Sequence, residues 1–173
     1  MQNLKIDLIN EIKISLEEVM NSLLDQKFGT KWAEKTSEKT LAYARRLGDV
    51  YGDAWYKGFL PEEFFLQILL PKHGHYTENK NNILSFIEDT AVHEARDLFN
   101  QSKEKYNKDC IELVIYLKEE IRKNGFKTNI SLVIIKGKLK HVDGLHRMIA
   151  LSLLLKEGYK YEPIPVFLCD STK

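Results

Sequence analysis

The chain has 173 residues, enough for one domain with a core of its own and too few for two full-sized domains. Lys and Arg number 26 against 25 Asp and Glu, a formal charge of +1 with no basic arm in either half, so composition offers no drive for nucleic-acid binding by counterion release. A hydrophobic content of 43%, with 29% charged residues, 9 Gly and 4 Pro, excludes a disordered or fibrous chain.

The N-terminus, Met1 to Asp7, is interrupted by charge before a signal-peptide core forms. No apolar run approaches the roughly 20 residues of a membrane-spanning helix. The expected location is therefore the cytoplasm, with no membrane attachment. Leu8, Ile9, Ile12, Leu16, Val19, Leu23 and Leu24 recur at three-to-four residue spacing and predict one amphipathic helix. The polar stretch 29–40, broken by Trp32, reads as a connection. Leu41 to Leu47 is helical by propensity. Leu60-Pro61-Glu62-Glu63 opens a further helix, with proline and acids suited to its first turn and Pro71 as its stop. The sequence thus predicts an all-helical N-terminal extension over residues 1–75, followed by an α/β domain over 76–173.

In that second part, Cys110, Val114, Leu117 and Ile121 line one face of a helix over 107–124, ended by Gly125. Ile130 to Ile135 is a β-branched run that predicts a strand, and Lys136-Gly137-Lys138 turns it into a second strand, Leu139 to Val142. Gly144 to Glu157 is apolar nearly all round, which predicts a helix at the centre of the domain, ended by Gly158. Ile164 to Leu168 closes as a strand, placed at an edge by its prolines. The fold class expected is α+β, a small mixed sheet with helices. Cys110 and Cys169 form no ligand cluster and read as buried thiols, not as a disulfide or a zinc site.

The informative segment is His141-Val-Asp143-Gly144-Leu145-His146-Arg147, at the passage from a strand into the buried helix. The first helical N–H groups lack intrahelical partners and carry the positive end of the dipole, so such a junction suits a phosphate. Gly144 lets the backbone approach closely. Arg147 adds a forked, permanently charged donor, and His146 a directional one. Asp143 either caps the helix or holds a cation that bridges to the phosphate. On a regular strand His141 and Asp143 point to the same face, so the imidazole of His141 joins the candidate site. A second polar cluster, Lys72-His73-Gly74-His75-Tyr76, reads as a loop that could contact a substrate, since a His-x-His pair without a third ligand is poor support for a metal.

Asp143-Gly-Leu-His-Arg-Met-Ile-Ala-Leu151 resembles the Asp-Gly-x-His-Arg-x-x-Ala-Leu signature of the ParB/sulfiredoxin superfamily. Its surroundings are similar too: the helix ending at Gly125, the strand Leu132 to Ile135, the short hairpin, Gly158 and Ile164-Pro-Val-Phe. The resemblance covers roughly residues 90–169 and implies a ParB/sulfiredoxin-like nucleotide-binding domain. Leu145 stands where sulfiredoxin has its catalytic cysteine, which removes that redox chemistry. The Asp-Gly-x-His-Arg form is nearest to the free-serine kinase type. That resemblance implies ATP or ADP as cofactor (CTP, as in ParB, being a further option), Mg2+ at Asp143, and phosphate contacts from Gly144, Leu145, His146 and Arg147. It also implies an upstream glutamate as base, for which Glu94 ranks first, followed by its neighbour His93. The function expected is phosphate transfer from a nucleotide to the hydroxyl of a small molecule. Two alternatives are a non-catalytic nucleotide-sensing or protein-interaction module, and a ParB-like DNA-binding or nuclease protein, against which the balanced charge counts.

Overall fold

Four isoleucines in the first fourteen residues set the start of the chain. In the computed structural model, which describes residues 4–25, 38–71, 90–101 and 108–173, β1 (Ile9–Ile14) is a strand, not the first half of a helix. Its spacing fits either period, but β-branched residues favour the extended form. The helix α1 (Leu16–Asp25) begins only after Ser15, whose Oγ accepts from the Glu18 N–H at 3.2 Å. Ser15-x-x-Glu18 is the pattern of a capping box, and it marks where the helix starts. Ile6, Leu8 and Ile14 are buried while Ile9 and Ile12 are exposed, which breaks the predicted helical stripe.

The remaining elements are α2 (Glu38–Tyr51), β2 (Trp55–Leu60), α3 (Glu62–Phe65), β3 (Leu69–Leu70), β4 (Thr90–Ala91), α4 (Val92–Gln101), α5 (Lys108–Asn124), β5 (Ile130–Ile135), β6 (Lys138–Asp143), α6 (Leu145–Lys156) and β7 (Ile164–Cys169). The protein is thus mixed α and β, and the expected all-helical N-terminal part is corrected by β1 and β2. The helix opening at Pro61 runs only one turn before β3. The cut expected at residue 75 lies outside the described residues. The chain forms two compact units that interleave in sequence: a sheet unit of Met1–Pro61, Thr128–Asp143 and Pro163–Lys173, and a helical unit of Glu62–Lys127 and Gly144–Glu162.

Within the sheet unit the strand order is β1-β2-β7-β5-β6, antiparallel throughout except for the parallel pair β5–β7. One cross-strand row runs Ile14, Trp55, Cys169, Val133, Lys140. Residues of one row share a face. The apolar members of this row pack with Val19 and Leu23 of α1 and Ala44 and Leu47 of α2 in one core. Burial and the neighbouring Asp170 charge push the Cys169 thiol up to about 12, which keeps it protonated. Burial likewise raises Tyr43, with Lys140 opposing it. β7 is flanked by β2 and β5 and is not the edge strand its prolines suggested. Pro165 pairs with Phe59 of β2, while the β5 ladder starts at the next residue, Ile130 opposite Val166, so the missing N–H costs no parallel bond. Lys136 and Gly137, both at positive φ (51° and 70°), make the two-residue hairpin between β5 and β6.

In the helical unit β3 and β4 form a short antiparallel pair. The α6 helix is buried at Leu145 and from Arg147 to Leu154, including Ser152, whose Oγ donates to the Ile149 carbonyl at 2.7 Å. Gly125 and Gly158 follow their helices at φ of 73° and 90°, as expected of left-handed caps. Lys118 and Arg122 of α5 both pair with Glu157, just beyond α6. These pairs hold the Glu157 carboxyl below its usual range, Lys118 having the largest effect.

Gly58 of β2 lies close against the start of β1: a Cβ there would lie 2.7 Å from Leu8 Cβ and 2.9 Å from the Ile9 carbonyl oxygen. Neither atom is the end of a flexible side chain. Gly58→Ala should therefore lower stability by about 1–3 kcal/mol in urea denaturation, as overpacking of a fixed site does.

Candidate functional site

The Asp143–Arg147 motif falls where β6 gives way to α6, and the passage takes a single residue. Gly144 stands at φ 103° and ψ 17°, in the left-handed region, and its carbonyl accepts the first helical bond from Met148 N at 3.0 Å. A glycine has no side chain with which to cap a helix. Gly144 is nonetheless the N-cap residue, so α6 opens with no side-chain cap and no acidic residue in its first turn. Asp143 therefore does not serve as the N-cap. The division between the two units also falls here, with His141 and Asp143 in the sheet unit and Gly144 to Arg147 in the helical unit.

The register of β5 and β6 corrects one expectation. Asp143 lies opposite Ser131 and His141 opposite Leu132, so three residues of β6 span two of β5. Such a bulge breaks the alternation. Because Ser131 and Leu132 are consecutive, their partners are turned to opposite faces, and His141 does not share a face with Asp143. Both are half-buried. Ser131, fully buried, is the lone polar residue of an otherwise apolar strand, and its Oγ has no hydrogen-bond partner.

In the helical unit His146 is half-buried, and its Nε2 lies 3.3 Å from the Cys110 Sγ on α5. Sequence reasoning treated Cys110 only as a core thiol. Its distance to a motif residue, 36 positions away in the chain, carries no sequence signal. Arg147 is 3% exposed and is engaged by other protein groups, so it is a core arginine at the base of the first turn and not a surface donor. Leu145 is buried with it.

Glu94 and His93 have structural duties at the start of α4. The Glu94 carboxylate accepts from the Ala91 N–H at 3.2 Å, the return half of a capping box. The Nδ1 of His93 lies 3.0 Å from the Leu66 carbonyl oxygen, and both side chains are otherwise exposed. One turn later, Asp97 pairs with Lys156 at 3.0 Å. That ion pair fastens α4 to the C-terminal end of α6, eleven residues and about 16 Å of helical rise from the motif. The His73–His75 cluster lies outside the described residues. Among the described residues no group of three or more His, Cys, Asp or Glu is disposed to hold a metal ion, and no helix is long and apolar enough to cross a membrane. Comparison with family models, with curated proteins and with solved structures finds no match.

Two outcomes follow. Gly144→Ala forces a side chain into the left-handed region and should cost about 1–2 kcal/mol in chemical denaturation. Hydrogen bonds from Arg96 and then Lys156 hold the Asp97 carboxyl at about 2. Its folded-state value is lower than that of a free carboxylate, so its stabilisation is present above about pH 4 and is lost as pH falls through the folded value. Asp97→Asn should flatten the acid limb of a stability–pH curve over that range.

Proposed function

We propose that the chain binds a nucleotide by its phosphates at the first turn of α6 and transfers a phosphoryl group to the hydroxyl of a small molecule. The observation that carries this reading is that α6 opens on Gly144 with neither a side-chain cap nor a first-turn acid. The positive end of a helix dipole, entered at a residue with no side chain of its own, attracts an anion. The buried Arg147 adds to the positive potential from below the turn even where it does not touch the ligand. The Asp-Gly-x-His-Arg resemblance to nucleotide-binding ParB/sulfiredoxin proteins points the same way.

In the transfer, the acceptor oxygen forms a new bond to phosphorus, the bond to the departing nucleotide oxygen breaks, and the hydroxyl proton passes to a base. A magnesium ion would neutralise the phosphate charge, and Asp143, the residue before Gly144, is the carboxylate suited to hold it.

A second reading, a nucleotide-binding module without turnover, is favoured by one observation. Glu94 and His93, the candidates for the base, are both occupied at the start of α4, Glu94 by the Ala91 N–H and His93 beside the Leu66 carbonyl.

Thermal unfolding with ATP, ADP and CTP, each with and without magnesium, tests both. A bound nucleotide should raise the melting temperature, since a ligand at about 100 times its Kd adds about 2.7 kcal/mol. His146→Ala should reduce that shift. Consumption of nucleotide with a panel of hydroxylated metabolites separates the kinase from the non-catalytic module. A melting temperature unmoved by every nucleotide would remove both.

A further inference from the structure

β1 ends the sheet: it pairs with β2 on one side, and among the described residues no strand lies along its other edge. Such an edge is a template for a further strand. Ile9 stands opposite Phe59 and Ile12 opposite Lys57. Phe59 and Lys57 are two residues apart and share a face, so the bulge at Asn10, whose φ is 54°, brings Ile9 and Ile12 to that same face. There Ile9, Ile12 and Phe59 are 44%, 56% and 40% exposed, a cluster of apolar side chains at the rim of the sheet and not scattered single ones.

On the opposite face, alternation places Glu11 and Lys13 to either side of Ile12. Glu11 is engaged through Oε2 alone, which accepts from the Leu8 N–H at 3.3 Å and from Lys173 Nζ, so Oε1 is open. Lys13 is exposed and makes no hydrogen bond or ion pair among the described residues. Glu11-Ile12-Lys13 is therefore its own complement. Antiparallel pairing of two copies centred on Ile12 sets the two isoleucines side by side, Glu11 opposite the partner's Lys13, and Lys13 opposite the partner's Glu11.

We propose that the outer edge of β1 pairs antiparallel with β1 of a second copy of this chain, joining the two sheets about a two-fold axis at Ile12. The inference goes beyond the nucleotide reading and does not depend on it. Backbone bonds supply the pairing, the Glu11–Lys13 contacts set direction and register, and the isoleucine pair joins the two exposed patches. A slip of one residue loses both charge pairs, and a slip of two sets like charges opposite each other.

Analytical ultracentrifugation of the full chain reads the state directly. The parent should sediment at twice the chain mass. Lys13→Glu and Glu11→Lys each leave an edge of one sign, repeated by the symmetry, and should each weaken dimerisation by roughly tenfold or more. An equimolar mixture of the two should restore the dimer, because an acidic edge then meets a basic one. Glu11→Lys gives up the Leu8 and Lys173 bonds, so unfolding stability is measured beside it. Should that variant not fold, Ile12→Lys, at a position already exposed, sets two ammonium groups together at the axis and should give monomers. A monomeric parent overturns the proposal and leaves the edge to a strand of another protein. A folded Lys13→Glu chain that dimerises as the parent does overturns it too, as does a mixture of the two folded charge variants that stays monomeric.

Discussion

One glycine sets the terms on which the buried helix is entered. A helix apolar on nearly every side must lie in the interior, yet its first N–H groups are polar and lack partners from the helix itself. Most helices meet this need with Ser, Thr, Asp or Asn at the N-cap. Here the chain leaves β6 and starts α6 within one residue, and that residue takes a φ of 103°, which other side chains resist. The sharp turn and the missing cap thus have the same origin. The residue that permits the junction is also the one that leaves the helix end uncapped, and the candidate anion site is the consequence.

Much of the second half of the fold was legible because its signals are local and agree with one another. The β-branched run Ile130–Ile135, the glycine of the hairpin, the all-apolar helix and the glycines at 125 and 158 each correspond to the element they predicted. The start of the chain was misread because Leu8, Ile9 and Ile12 fit a helical stripe as well as a strand. The deciding signal, Ser15-x-x-Glu18, is a boundary mark and not a period. The central place of β7 was hidden for another reason. Whether a proline can sit between two neighbours depends on which of its own residues each ladder uses, and that is a tertiary fact.

The site was legible in type but not in arrangement. Residue chemistry and resemblance picked out Asp143 to Arg147, and the structure puts them at a strand-to-helix junction, as expected. The bulge that turns His141 away from Asp143 leaves no trace in composition, because Val142 would suit either register. The depth of Arg147 and the nearness of Cys110 to His146 depend on how α5 packs against α6. Glu94 has a duty that residue type alone does not reveal: its carboxylate accepts from the Ala91 N–H and so closes the start of α4.

The interleaving of the two units bears on how the protein comes into being. β2 (Trp55–Leu60) pairs along its whole length with β7 (Ile164–Cys169), so the middle of the sheet joins segments more than a hundred residues apart. Closing so long a loop is costly before contacts repay it, and folding rates fall as such distant pairings accumulate. During translation the ribosome releases β1, β2 and their helices well before β7 exists. The open flank of β2 must then wait, exposed to solvent or to a chaperone, until residue 169 has been delivered.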